Sequence, residues 1–255
     1  MASLNFNKIL QQLMMIQKEA NSYNLLQFQS IMSGSQYTLL YQLCSKYLIS
    51  DANVLDWGCG NGHFSFFLKS QDYKVSAYSF DGQPPVSEKM DSLEEYQYLP
   101  GDINFPVSIP FESEKFDMVS SIGVLEHVRE TGGTEEQSLK EISRVLKPSG
   151  FFICYHFPNK YSHIELLSSL FPSKHSHLYK YTKQDIKQLC LNADFEVLDC
   201  QRYGFLPRGI CNLLPSFISN SSLGVSIYDS VDKLLSMLFN PFCQNYFFIA
   251  TKKSN

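Results

Sequence analysis

Apolar positions along the chain switch repeatedly between a period near 3.6 and short continuous runs. Phe6, Ile9, Leu10, Leu13 and Met14 share one helical face, so residues 4–18 predict an amphipathic helix. A second helical stretch runs from Tyr37 to Tyr47. Asn53-Val54-Leu55-Asp56-Trp57 then reads as a buried strand opening directly into glycines. Helix follows over His63–Ser70 and strand over Lys74–Phe80, closed by the break Asp81-Gly82-Gln83-Pro84-Pro85. A weak strand is read within Glu94–Leu99 and a clear one over Phe116–Ile122. In Glu135–Leu146 the residues Leu139, Ile142, Val145 and Leu146 line one helix face, and Lys147-Pro148-Ser149-Gly150 stops it before the strand Phe151–Tyr155. Thr182-Lys183-Gln184-Asp185 is a capping-box signature for a helix through Leu191. Strands at Phe195–Cys200 and Tyr246–Thr251 complete the series.

Seven strand segments alternating with amphipathic helices predict an α/β fold: a mostly parallel sheet covered by helices on both faces. The division read here is an N-terminal helical segment (1–50), a core (51–200 and 246–255) and an insertion (201–245). The last two strands need only a few connecting residues, which makes the long stretch between them an insertion. Its apolar groups, Leu213-Leu214, Phe217-Ile218, Leu234-Leu235 and Met237-Leu238-Phe239, suit an acceptor lid. An extra helical pair completing the core, or a dimer contact, fits them equally.

Composition narrows the classes. With 255 residues, 44% of them hydrophobic, the chain supports one packed α/β domain with an elaboration. Net charge is -4 and the 21 Lys and Arg are scattered, which disfavours a nucleic-acid partner. The seven cysteines are odd in number and form no CxxC pair, against a zinc knuckle or redox pair and in keeping with a reducing compartment. Gln11 and Gln12 interrupt the first apolar run, and no run reaches the length of a membrane span. The expectation is a soluble, cytoplasmic protein, with peripheral membrane contact left open. Oligomeric state is not legible here.

The most specific local signal is Asp56-Trp57-Gly58-Cys59-Gly60-Asn61-Gly62. Glycines after a strand let the backbone bend sharply and a ligand approach with no Cβ in the way. A dinucleotide fingerprint asks for glycine where His63 stands, and a P-loop asks for Gly-Lys-Ser/Thr, which is absent. An acid at the strand end is unhelpful beside pyrophosphate and well suited to a cationic cofactor bearing an amino acid.

With this turn, four further blocks fall in order: Val75–Asp81, Gly101-Asp102-Ile103, Phe116–Val128 ending in Val124-Leu125-Glu126-His127-Val128, and Leu139–Phe152. Residues 53–155 therefore resemble class I S-adenosylmethionine-dependent methyltransferases, particularly the small-molecule branch that includes ubiquinone-type O-methyltransferases. The resemblance implies a Rossmann-like sheet and S-adenosyl-L-methionine as cofactor. It implies that Asp56 and the backbone of Gly58, Cys59 and Gly60 surround the methionine part, and that Asp102 and Ile103 form the adenine pair. Family members carry an acid for the ribose hydroxyls at the end of the second strand. Here that position is Ser79, and the first acid, Asp81, lies two residues or about 7 Å further on. Either residue is a candidate for the ribose.

For chemistry, Glu126 and His127 follow the fourth strand at the carboxyl edge, where open α/β sheets bind ligands, and His156 follows the fifth. These are the candidate catalytic residues. The Glu-His pair fits equally as a helix cap or as packing beneath the cofactor, and His156 as an ordinary loop residue. His177, before Tyr179 and Tyr181, precedes a helix and is either a further residue leaning over the pocket or an ordinary loop histidine. His175-x-His177 lacks a carboxylate at ligand spacing, so no metal is assigned. The expected function is O-methylation of a small, sugar- or lipid-linked acceptor, with Pro158-Asn159-Lys160-Tyr161 and His177–Tyr181 weakly similar to enzymes of polysaccharide and lipid-linked sugar pathways. A catalytically silent methyltransferase-like binding protein, favoured by Ser79, and an NAD-dependent oxidoreductase, disfavoured by His63, are the alternatives.

Overall fold

The computed structural model describes residues 6–90, 96–168 and 177–253. Its strands are β1 (Asn53–Trp57), β2 (Lys74–Ser79), β3 (Tyr96–Pro100), β4 (Phe116–Ile122), β5 (Leu146–Pro158), β6 (Phe195–Tyr203) and β7 (Asn245–Lys252). They form one sheet in the order β3-β2-β1-β4-β5-β7-β6, parallel throughout except at β7, which runs antiparallel to both its neighbours. This is the Rossmann-like, seven-stranded arrangement expected from the alternation of periods.

Burial explains why the central strands read as continuous apolar runs. Alternate residues of each strand enter two separate cores. On one face Val54, Val75, Met118, Ile153 and Ile249 pack with helices α1 (Phe6–Glu19), α2 (Ile31–Gly34), α3 (Thr38–Tyr47) and α4 (His63–Lys69). On the other, Leu55, Val119, Phe152 and Phe248 pack with α5 (Glu135–Val145) and α7 (Lys183–Asn192); in chain order α6 (His163–Ser168) precedes α7. Thr182 and Asp185 cap α7 reciprocally, as the sequence signature indicated. All seven thiols are buried and unpaired.

Strand limits differ from the sequence reading by one residue at the end of β2, at the end of β3 and at both ends of β7, and by more in β5 and β6. β5 begins at Leu146, because Leu146 pairs with Phe116 before a register shift, and Ser149 takes a positive φ of 60° in the breaker segment. It also continues past Tyr155 to Pro158 through an irregularity at His156. β6 continues to Tyr203, opposite Asn245, so the excursion between the last two strands covers 204–244. Leu4, Asn5, Glu94, Glu95 and His175, which enter the sequence reading, lie outside the described residues.

The excursion folds as α8 (Ser216–Ser219) and α9 (Ser222–Leu238), and polar bonds fasten it to the N-terminal segment. Asp232 accepts from the Phe205 and Leu206 amides at 2.8 and 2.7 Å. Arg208 bridges Asp229 (2.7 Å), the Ser35 hydroxyl (2.8 Å) and the Met32 carbonyl (3.1 Å). Leu223, Ile227, Val231, Leu234 and Leu238, spaced three and four apart along α9, are left exposed. Among the described residues no helix is long and apolar enough to cross a membrane.

Candidate active site

The sheet order reverses between β1 and β4, and register sets Trp57, the last residue of β1, beside Tyr78 and Ser121, with Ser121 beside Cys154. A crevice at such a switch point is the ligand site of open α/β sheets. Above it the backbone turns through Gly58 (φ 75°) and Gly60 (φ 49°), with the Gly58 and Cys59 amides donating to the Tyr78 carbonyl at 2.7 and 3.1 Å. A Cβ on Gly58 would lie 2.4 Å from Val124 Cγ2, whereas one on Gly60 would meet nothing nearer than 4.0 Å. Gly58 is needed for packing and Gly60 leaves an open approach to the backbone. The buried Cys59 thiol is pushed up by burial and stays protonated.

Asp56 lies beneath the turn, 1% exposed, accepting from Ser65 at 2.6 Å and from Ser120 at 3.5 Å. Burial pushes its carboxyl up to about 6, against the opposing pull of these hydroxyls. A buried carboxylate lacking a cation is poised to gain from one. At the end of β2 the buried Ser79 hydroxyl donates to the Gly82 carbonyl at 3.3 Å. Asp81 is exposed and makes no hydrogen bond or ion pair among the described residues. Asp102 also lies at the surface, one oxygen accepting from the Asn104 amide and side chain at 2.9 Å each; Ile103 beside it is 62% exposed. An open glycine backbone, an exposed carboxylate two residues beyond the end of β2 and an exposed acid–apolar pair together fit a cationic nucleoside carrying an amino acid.

Beyond β4, the 3-10 segment Leu125–Thr131 carries Glu126 and His127. Glu126 is 3% exposed, and its Oε2 has no hydrogen-bond partner among the described residues. Burial pushes this carboxyl up to about 7. His127 Nδ1 lies 2.7 Å from Glu130. The structure adds His177, whose ring is 5.6 Å from that of His127 and whose Nδ1 is 2.6 Å from Glu165. That ion pair raises the His177 pKa. The segment bearing His177 is anchored by Glu135, which is buried and binds Arg129 at 2.8 and 2.9 Å and the Tyr181 hydroxyl, while Arg129 covers the Tyr179 ring. Removing one partner of such a group leaves the others desolvated without compensation. Arg129→Ala, which leaves the Glu135 carboxylate buried without its cation, is therefore expected to cost about 3–5 kcal/mol in urea unfolding, and more than Glu135→Ala, after which Arg129, 42% exposed, rehydrates.

His156 occupies a different part of the edge. Its φ is 67°, in the left-handed region that a non-glycine residue adopts only when its surroundings impose it. Here Tyr203 imposes it, accepting from the His156 amide at 3.0 Å and contacting Nδ1 at 3.0 Å. The ring lines a cleft of about 1030 Å³, bounded by Gln36, Leu39, Tyr203, Arg208, Asp232 and Phe247. Burial lowers the His156 pKa to about 4, and the nearby His177 adds to this, so the imidazole is neutral at pH 7. Tyr37 meets the His156 ring edge-on at 5.4 Å and lies 4.5 Å from the His63 ring, the first residue after the glycine turn. A run of rings thus joins the turn to the cleft.

The candidates therefore fall in three places: the turn and its flanking loops, the Glu126–His127–His177 cluster, and His156 in the cleft. Sequence reasoning gave no sign of the clustering of His177 with Glu126, because fifty residues of chain separate them. The cleft itself was equally hidden, being formed between the N-terminal segment and the 204–244 excursion.

Comparison with known proteins agrees with this geometry. A family model described as a methyltransferase domain matches residues 28–199. An uncharacterized methyltransferase of Bacillus subtilis, YodH, is 37% identical over 103 residues, 40% of this chain and 42% of that one. Malonyl-[acyl-carrier protein] O-methyltransferase of Salmonella typhimurium is 31% identical over 100 residues, 39% of this chain and 36% of that one. The matches thus span less than half the length of these two curated relatives. The fold is shared with a crystal structure of a SAM-dependent methyltransferase from Methanosarcina mazei, TM-score 0.57 and 17% identity, covering 84% of this chain and 98% of that chain. With the glycine turn at the switch point and the family match across most of the core, the chain belongs to the methyltransferase domain family, of the class I, S-adenosylmethionine-dependent kind.

Proposed function

We propose that the protein methylates a hydroxyl oxygen of a small, sugar- or lipid-linked acceptor held in the cleft beside His156. The observation that carries this reading is a neutral imidazole, held in a strained backbone conformation, on the wall of a cleft that the rings of His156, Tyr37 and His63 connect to the glycine turn. When bound, S-adenosylmethionine supplies an electrophilic methyl group on a sulfonium and leaves as S-adenosylhomocysteine. Gly58, Cys59 and Gly60 offer backbone groups to its amino-acid end, with Asp56 below contributing negative charge. Asp81, which makes no hydrogen bond or ion pair among the described residues, takes the ribose hydroxyls more readily than Ser79, whose hydroxyl is committed to Gly82. Asp102 and Ile103 receive the adenine.

The acceptor hydroxyl passes its proton to His156 as oxygen takes the methyl group. Alignment of the two reactants in one crevice supplies most of the acceleration, up to about 7–11 kcal/mol in favourable cases. A pKa near 4 leaves His156 unprotonated but weakly basic, so a second group is needed to stabilise the developing alkoxide. Glu126 and His127 stand at the same edge for that task. The exposed apolar stripe of α9 favours an acceptor with a lipid portion.

Labelled-methyl transfer from S-adenosylmethionine into fractionated cell extract tests this. Label is expected in a lipid or small-molecule fraction, with His156→Ala reducing the rate about 10²–10⁴-fold while S-adenosylhomocysteine affinity stays within a few-fold. Binding of the nucleoside with no transfer to any fraction would instead support a catalytically silent binding protein, the reading that Ser79 in place of an acid favours. Binding of NAD in preference to S-adenosylhomocysteine would overturn both.

A further inference from the structure

We propose that Glu126, His127 and His177 form a binding site for a divalent metal ion of the zinc class. Among the described residues these three each offer one ligand atom within 4.8 Å of the other two. Ligands about 2.0–2.2 Å from a tetrahedral ion stand about 3.3–3.6 Å apart, within reach of small side-chain adjustments from that spacing. Three independent features point to an ion. The Glu126 Oε2 is buried and has no hydrogen-bond partner among the described residues, an arrangement that costs free energy unless something compensates it. Both imidazoles present Nδ1 to a carboxylate, His127 to Glu130 at 2.7 Å and His177 to Glu165 at 2.6 Å. That pairing orients a ring and raises the basicity of its other nitrogen, as in carboxylate–histidine–metal sites. Glu165 is itself held in place by the His177 amide at 3.1 Å and by Lys180 at 3.2 Å, so this outer support is built from several contacts.

Two imidazoles and one carboxylate select zinc, cobalt, iron(II) or nickel over magnesium and calcium, which take oxygen ligands. Three protein ligands leave a further coordination position for a water or an acceptor oxygen. On the methyl-transfer reading, that position would take an acceptor oxygen and lower the pKa of its hydroxyl. This use rests on the proposed function; metal binding does not.

The test is titration of the chelator-treated full chain with Zn²⁺ by calorimetry and with Co²⁺ by its visible d–d absorption. About one equivalent is expected, with competition by Zn²⁺ and none by Mg²⁺. Glu126→Gln, His127→Ala and His177→Ala should each weaken binding at least about 100-fold, and Glu165→Gln about 10–100-fold. Glu165→Gln touches no metal ligand atom other than through His177, so it keeps the test informative should a ligand variant fail to fold. No stoichiometric binding, or equal affinity in wild type and all four variants, overturns the site. Chain that binds Co²⁺ through these residues but not S-adenosylhomocysteine overturns the methyltransferase reading alone. Chain that binds S-adenosylhomocysteine but no metal overturns the metal site alone.

Discussion

Gly58→Ala is expected to abolish measurable S-adenosylhomocysteine binding and to lower the melting temperature by about 5–15 °C. Two costs act together. Gly58 sits at φ 75°, where a Cβ costs about 1–2 kcal/mol, and that Cβ would lie 2.4 Å from Val124 Cγ2. Relief requires moving either the turn or the start of the segment bearing Glu126, and overpacking of this kind costs a further 1–3 kcal/mol or so. The whole of the displacement falls on the backbone that faces the cofactor. Gly82→Ala is the matched control: φ is also positive, at 86°, but nothing lies within 4 Å of the added Cβ. It should lose only about 1–2 kcal/mol and keep its affinity within a few-fold. Calorimetric titration and thermal melts of both variants check this, and wild-type affinity in Gly58→Ala would show that the turn does not carry the cofactor.

Asp56→Asn is expected to stabilise the ligand-free protein at pH 8 while weakening the cofactor about 10–100-fold. The carboxyl is pushed from 3.8 to about 6 by burial, so the folded state binds its proton more tightly than the unfolded state does. Stability then falls as pH rises from about 4 through about 6 and is level above that. A shift of this size amounts to about 3 kcal/mol at most, and the asparagine avoids it while still accepting from Ser65. The advantage of the variant should shrink to about 0.5 kcal/mol as pH approaches 4, where the folded wild-type carboxyl is protonated and the unfolded one roughly half so. The cofactor reverses the sign, because a cationic group above the turn favours the ionised form; losing a charged interaction is worth about 1.5–3 kcal/mol. Urea unfolding from pH 4 to pH 8, with and without S-adenosylhomocysteine, measures both arms. A variant less stable than wild type at pH 8 would mean that Ser65 and Ser120 hold the charge better than burial penalises it.

Local structure was legible where periodicity and punctuation agreed. Asn53–Trp57 and Phe116–Ile122 are apolar runs bounded by turn residues, and both strands have these limits. Thr182 and Asp185 announce their helix because the cap is made within four residues of chain. Limits were misread where pairing overrode local chemistry. Lys147-Pro148-Ser149-Gly150 reads as a stop, yet Leu146 already pairs with Phe116, and Tyr203 stays in the sheet because Asn245 is opposite it. Of the site, the turn was legible, since its glycines answer to a backbone conformation that any neighbouring sequence would need. The partners of those residues were not: Asp56 lies under the turn with Ser65, and Asp102 binds Asn104, neither of which follows from a motif.

The chain alone determined its alternation of strand and helix, the sharp glycine bend after the first strand and the acids near it, because these depend on neighbours a few residues apart. Only the tertiary structure decided that His177 joins Glu126 and His127, that Tyr203 holds His156 in a left-handed conformation, and that the two segments flanking the core enclose a cleft. Each of those arrangements is made by side chains tens of residues apart, brought together by burial of the two sheet faces, and no spacing along the chain encodes which distant surfaces will meet.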